Sequence, residues 1–127
     1  MQIPQDLRYT DNHEWVRVES DGAVTLGISD YAQKALHDVV YVDLPDVDRI
    51  VEAGEGIAEV ESTKSVNDVY SPISGVVATV NELLMDAPEL INSDPFGAGW
   101  IVTITPAEGS SLDDLMDAVA YTAFTEE

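Results

Sequence analysis

Cysteine is absent from the chain, which removes disulfides, thiolate metal sites and cysteine nucleophiles. Any redox chemistry must therefore come from an attached group. Basic residues are scarce: five Lys and Arg face 25 Asp and Glu, for a formal net charge of −20. Phosphate attraction dominates binding to nucleic acid and to anionic membrane, and here it becomes repulsion, so neither is an expected partner. No apolar run approaches the ~20 residues needed to cross a bilayer. The start, Met1 to Asp6, has neither a basic nor an apolar signal region. A soluble cytoplasmic protein is expected. Histidine is limited to His13 and His37, far apart and without the acid or cysteine spacing of a metal centre. No Ser/His/Asp arrangement, nucleophile elbow or phosphate loop is present, and acids are too common to single out a catalytic pair. No catalytic residue and no metal are assigned.

What remains is a chain of 127 residues with 45% hydrophobic content and regular apolar patterning, which argues for one folded domain, 1–127, rather than disorder. Its core is expected at about 23–105. The acids are spread along the chain rather than packed into a tail. That pattern fits a halophilic, salt-adapted surface better than one tuned for basic partners. At molar salt the screening length falls to about 3 Å, which would remove most of the self-repulsion.

Glu14 to Glu19 reads as a strand, Ser20-Asp21-Gly22 as a turn and Ala23 to Ile28 as the return strand, since Asp-Gly between two such runs favours a hairpin. Ser29 then caps a short helix from Asp30 to His37, in which Asp30 and Lys34 can pair across one turn. Val39 to Leu44 is β-branched and strand-like, and Arg49 to Glu52 is a short strand before the turn Ala53-Gly54-Glu55-Gly56. Val76 to Val80 is a further strand, followed by a helical turn at Asn81 to Met85. Pro88 to Ile91 leads into a loop through Gly99, and Trp100 to Ile104 is the final strand. Val39-Val40 and Val76-Val77 open similar strand sets, an internal echo that suits a quasi-symmetric, flattened barrel. Ser111 to Asp114 resembles a capping box, and Leu112, Leu115, Met116, Val119 and Ala123 follow the helix period. A C-terminal helix over about 111–124, packed on the barrel, is the expectation.

Only two lysines occur, Lys34 and Lys64. Lys34 has its helical partner. Lys64 sits in a short polar turn between Ile57-Ala58-Glu59-Val60-Glu61 and a second run that begins around Asp68 and stops at Pro72. A lysine at a hairpin tip extends its amine into solvent, clear of backbone on both sides, as a modifying enzyme requires. Surface charge is the ordinary reading of such a lysine. Its scarcity and its place between Thr63 and Ser65 favour a cofactor attachment point.

The segment Val60-Glu61-Ser62-Thr63-Lys64-Ser65 through Asp68-Val69-Tyr70-Ser71-Pro72-Ile73-Ser74-Gly75 resembles the lipoylation segment of glycine cleavage system H proteins. The likeness continues through Tyr9-Thr10, His13-Glu14-Trp15-Val16, Gly27 to Gln33, Asp38 to Pro45, Leu90 to Pro95 and Gly99-Trp100, over nearly the whole chain. It implies a mostly β barrel-sandwich hybrid, the lipoyl/biotinyl-type flattened barrel, with lipoate amide-linked to Lys64. It also implies a non-catalytic carrier. In the family cycle, glycine decarboxylase (P protein) loads an aminomethyl group on the arm and releases CO2. The aminomethyltransferase (T protein) removes the one-carbon unit, and dihydrolipoamide dehydrogenase (L protein) reoxidises the dithiol. Lipoate-attaching enzymes are the further implied partners. In the family the loaded arm folds into a surface cleft where acidic and polar groups hold its amine. Glu14 and Asp68 match those positions, and Asn12 stands where the family has a serine.

A biotin carrier shares the fold but usually places methionine on both sides of the lysine. A lipoyl domain of a 2-oxoacid dehydrogenase lacks the His13-Glu14-Trp15 and Gly99-Trp100 extensions. An H-like carrier for lipoyl relay or another one-carbon pathway, and an unmodified scaffold, are the alternatives kept.

Overall fold

The computed structural model describes residues 1–126 of the chain. Its first hairpin joins β2 (Glu14–Val18) to β3 (Val24–Ile28), paired antiparallel with Glu14 opposite Ile28 and Val18 opposite Val24. Gly22, at φ +90°, supplies the left-handed turn residue between them. β1 (Arg8–Tyr9) adds to the outer side of β2. After β3, Ser29 caps α1 (Asp30–Leu36) by accepting from the Ala32 amide, and Lys34 stands 3.9 Å from Asp30. The helix stops at Leu36 because His37 turns to φ +67°.

β4 (Val39–Asp43), β6 (Gly56–Ser62) and β7 (Val66–Tyr70) form a three-stranded sheet in that order. β5 (Ile50–Val51), β8 (Gly75–Val80) and β9 (Val102–Pro106) complete a six-stranded sheet, ordered β1-β2-β3-β9-β8-β5. Two short helices, α2 (Leu83–Asp86) and α3 (Leu90–Ser93), connect β8 to β9, and α4 (Ala118–Thr125) closes the chain. The result is the mostly β barrel-sandwich fold expected from the sequence. Alternating strands send Leu26, Val77, Val102 and Ile104 from one sheet and Val39, Val42, Val60 and Val69 from the other into a shared apolar core. The internal echo has a counterpart: β4/β6 and β8/β9 are both antiparallel neighbours. Each pair shifts register near its start, between Val39 and Tyr41 and between Val77 and Thr79.

A second cluster of Leu7, Tyr9, Trp15, Ala118 and Tyr121 ties the two ends of the chain together outside that core. The largest departure from expectation lies here. The C-terminal helix runs over Ala118–Thr125, not 111–124, and its cap is Asp117, which accepts from the Ala120 amide. Residues 111–117 are diverted by two other bonding choices. Ser111 accepts from the Asp113 amide in a local turn, and Met116 exchanges both backbone hydrogen bonds with Tyr9, at 2.8 and 2.9 Å. The buried helical residues are Ala118 and Tyr121, whereas Val119, counted in the apolar stripe, is exposed.

Three smaller shifts lie elsewhere. The last strand begins at Val102 rather than Trp100, because Asn81 takes the Ala98 and Trp100 carbonyls and Ile101 donates to Leu26. The return arm of the lysine hairpin begins at Val66 rather than Asp68. Residues 90–93, expected as lead-in to a loop, form a helical turn.

Gly75 permits a close approach between β8 and β9: a Cβ there would collide with the Thr105 carbonyl oxygen and the Ile104 side chain. The backbone cannot yield cheaply. Gly75→Ala is expected to cost about 2–3 kcal/mol of unfolding free energy in urea titration, by overpacking.

Candidate functional site

The lysine turn is built by its neighbour. Ser62 Oγ accepts from the backbone amides of Lys64 and Ser65, both at 3.1 Å, and donates to the Ser65 carbonyl at 3.2 Å. A second tie fixes the tip from outside, where the Thr63 amide donates to the Asp38 carbonyl at 3.0 Å. Asn92 in turn holds residues 37–39, accepting from the Val39 amide at 2.8 Å and donating to the His37 carbonyl at 2.8 Å. The backbone of Lys64 is thus fixed while its side chain is exposed.

Its amine is not clear of backbone, however. Nζ lies 3.4 Å from the Ala35 carbonyl oxygen, in the last turn of α1, where helix carbonyls lack intrahelical partners and the dipole favours a cation. Of the five bases, Arg17, Lys34 and Arg49 reach a carboxylate; Lys64 makes no ion pair among the described residues.

Ala35 also borders a cleft of about 370 Å³ between α1, the outer edge of β7 and the loop before β2. The lysine amine therefore lies at the rim of this cleft. Asn12, Glu14 and Asp68 all line it, so the structure brings the three sequence-matched residues together with the lysine rim. They differ in setting. Asn12 and Asp68 are exposed, and the β-sheet register sets Asp68 opposite Glu59. Glu14 is only 2% exposed. Its Oε1 accepts from the Thr10 hydroxyl at 2.8 Å and its Oε2 from the Tyr70 amide at 2.8 Å.

Burial pushes the Glu14 carboxyl up to about 7, against the two hydrogen bonds that favour its charge, with Asp11 adding to the rise. Four residues of the site had no role assigned from the sequence: His13, Tyr31 and Tyr70, which line the cleft, and Tyr121 behind it. His13 adopts φ +66°, stacks on Tyr31 with ring centres 4.4 Å apart, and bonds Tyr121 Oη through Nδ1 at 2.8 Å. Tyr121 Oη also meets Ser29 Oγ at 2.7 Å, so α4 is locked to the cap of α1. Burial lowers the His13 pKa, although Asp11 opposes the shift. The Tyr121 hydroxyl is pushed up to about 12 by burial. The contiguous His13-Glu14-Trp15 motif and the matched segments that hold Tyr31 and Tyr70 gave the prior signal for this cluster; Tyr121 comes from a remote segment.

An exposed lysine on a rigid hairpin can hold an acyl group, and the adjoining cleft can receive a flexible arm with a polar end. These residues fit lipoate attached through Lys64. Among the described residues no group of three His, Cys, Asp or Glu could hold a metal ion, and no helix is long and apolar enough to cross a membrane.

Residues 7–127 match the family described as glycine cleavage H-protein. Proteins named glycine cleavage system H protein are similar throughout. The one from Halorhodospira halophila is 55% identical over 94% of this chain and 92% of its own length. That from Anaeromyxobacter sp. strain K is 54% identical over 100% and 98%, and that from Vibrio parahaemolyticus 54% over 98% and 99%. The crystal structure of a glycine cleavage system H protein from Mycobacterium marinum superposes with a TM-score of 0.90, at 40% identity, over 98% of this chain and 100% of that one.

The Glu14 carboxyl has a direct consequence for stability. The reference carboxyl ionises at 4.5 and the folded one at about 7, so the folded state holds an extra proton between those values. Its contribution to stability is full below 4.5 and is lost as pH rises to about 7, by roughly 3 kcal/mol. The difference in unfolding free energy between wild type and Glu14→Gln, measured in urea from pH 4.5 to 8, should follow that curve. A difference independent of pH would refute it.

Proposed function

The chain belongs to the glycine cleavage H-protein family, and from that premise we propose that Lys64 is its lipoyl attachment residue and the adjoining cleft the shelter for the loaded arm. The protein is a lipoyl carrier of the glycine cleavage system, not a catalyst in itself. The observation that carries the reading is the exposed lysine, held by Ser62 on a fixed turn, whose amine touches the rim of a cleft containing a buried carboxyl. Lipoate on that lysine supplies a disulfide that accepts the aminomethyl group and is restored from the dithiol.

The chain's own residues present and protect. Ser62 and the Thr63–Asp38 contact hold the hairpin still, so the arm swings from a fixed origin. Acylation removes the lysine charge and leaves one N–H in place of the ammonium donors that now face the Ala35 carbonyl. Glu14, Asp68 and Asn12 offer acceptors in the cleft to an amine at the far end of the arm. Excluding water there slows loss of a group that hydrolyses readily. Glycine decarboxylase, aminomethyltransferase, dihydrolipoamide dehydrogenase and a lipoate-attaching enzyme are the proposed partners, and the cytoplasm the proposed location. The domain is proposed to be the whole chain, 1–127, of which Glu127 lies outside the described residues.

The salt-adapted reading of the −20 charge gains no support from the relatives, whose sources are diverse bacteria. It stands as a proposal on composition alone, and full stability in dilute buffer would count against it.

Intact-mass analysis of native protein should show a lipoyl increment that disappears in Lys64→Arg. Native protein without the increment would favour an unmodified scaffold. Glu14→Ala in the loaded carrier should speed loss of the aminomethyl group; an unchanged rate would remove Glu14 from the sheltering role.

A further inference from the structure

The segment that departs from the expected C-terminal helix builds a second cleft. Met116 exchanges backbone hydrogen bonds with Tyr9, which lays residues 114–116 beside the loop before β2 instead of coiling them into α4. Between that segment, the loop and the end of β7 lies a groove of about 390 Å³. It adjoins the cleft under the lysine hairpin, and the two share Asp11, Asn12, Glu14 and Tyr70. Asp114, Leu115, Met116, Pro72 and Phe124 belong to the second groove alone.

Two kinds of surface meet in this groove. Leu115, Met116, Pro72 and Phe124 are half-buried and apolar, whereas Asp11 and Asp114 are exposed. Neither acid pairs with a base, and no Lys, Arg or His lines the groove, among the described residues. An apolar lining that ends in carboxylates suits a side chain with an apolar stem and a cationic head. Arginine fits better than lysine. The half-buried rings of Tyr70 and Phe124 border the space and offer faces to a planar guanidinium, whose fork also matches a carboxylate. A second copy of this chain is a poor occupant, since it brings a further −20 of charge. Three of its five bases are already paired with carboxylates.

Resting on the carrier reading above, we propose that this groove receives an arginine side chain projecting from an enzyme of the carrier's cycle. The guanidinium meets Asp114 and Asp11 while its stem covers the apolar lining. Lys64 and its turn lie outside the groove, so an enzyme held there leaves the arm free to move. A charged pair partly withdrawn from water fixes the register of docking more than it adds affinity. The contact therefore orients the carrier from its flank, apart from whatever the enzyme does with the arm.

Asp114 is the residue to change, because it is exposed and lines only this groove. In the lipoylated carrier, Asp114→Lys should raise KM about tenfold for at least one of glycine decarboxylase, aminomethyltransferase and dihydrolipoamide dehydrogenase, with kcat unchanged. Asp21→Lys, an equal charge change in the β2–β3 turn outside both clefts, should leave KM within about twofold. N-acetylarginine methylamide probes the groove directly. In ¹⁵N spectra of the lipoylated chain it should shift, saturably, the amides of residues 70, 71 and 114–116. Uncharged N-acetylcitrulline methylamide should not, and Asp114→Lys should abolish the shifts. Equal KM effects of the two variants, or shifts scattered over the acidic surface, overturn the groove in favour of the protein's general field. An arginine probe that binds while every KM stays unchanged overturns the enzyme contact. Self-association that Asp114→Lys removes would give the groove to a second copy and overturn it likewise. A wild-type carrier that none of the enzymes accepts removes the carrier reading, and the proposal with it.

Discussion

Glu14 connects the two sheets through one carboxyl group. It lies at the start of β2 in the six-stranded sheet, and its Oε2 takes the amide of Tyr70 at the end of β7 in the three-stranded sheet. The hydroxyl of Thr10 fills the other oxygen. Removing that carboxyl would leave a buried hydroxyl and an amide without their acceptor, each worth about 1–3 kcal/mol. Glu14 and Tyr70 both line the cleft beside the lysine hairpin. Its shape therefore depends on a group whose charge is itself expensive to bury. Stability and function draw on the same atom, and the destabilising rise in its pKa is the cost of placing an acceptor out of water.

The opposite wall is fixed by a different economy. α1 is one turn longer than the shortest helices here, too short to be stable alone, and it is held at both ends. At its start Ser29 caps the helix while bonding Tyr121 from α4, and at its end Asn92 ties down residues 37–39. The same Asn92 contact supports Asp38, whose carbonyl anchors Thr63 beside the lysine. One short helix thereby sets the cleft wall, the resting place of the lysine amine and, through its flanks, the lysine turn. This explains why segments far apart in the chain, around residues 13, 29, 38, 64 and 92, converge on one function.

The strands were readable because their apolar residues alternate and their turns carry Gly, Asp and Pro. Lys64 was readable because it is almost the only lysine and its flanks match a known segment. The C-terminal helix was misplaced because Leu112, Leu115 and Met116 fit a helical period, while the deciding event is the pairing of Met116 with Tyr9, more than 100 residues away. Glu14 was legible as a cleft residue only through the family resemblance, and its burial was not legible at all. Nothing local shows that β2 is covered on both sides there, or that Thr10 and Tyr70 supply its donors. Ser62 also gave no signal, since a serine in a polar turn has many bland uses. The pattern is consistent: periodic elements follow from local chemistry, and the cleft follows from long-range pairing.

In the proposed carrier cycle the arm on Lys64 returns to the cleft between α1 and β7 when loaded. Nuclear Overhauser contacts from a ¹³C-labelled methylene, introduced from labelled glycine, test this most directly. The expected contacts run from that methylene to the ring protons of Tyr31, Tyr70 and His13, which line the cleft. A methylene in contact with none of them, on an arm moving freely in solvent, would contradict it.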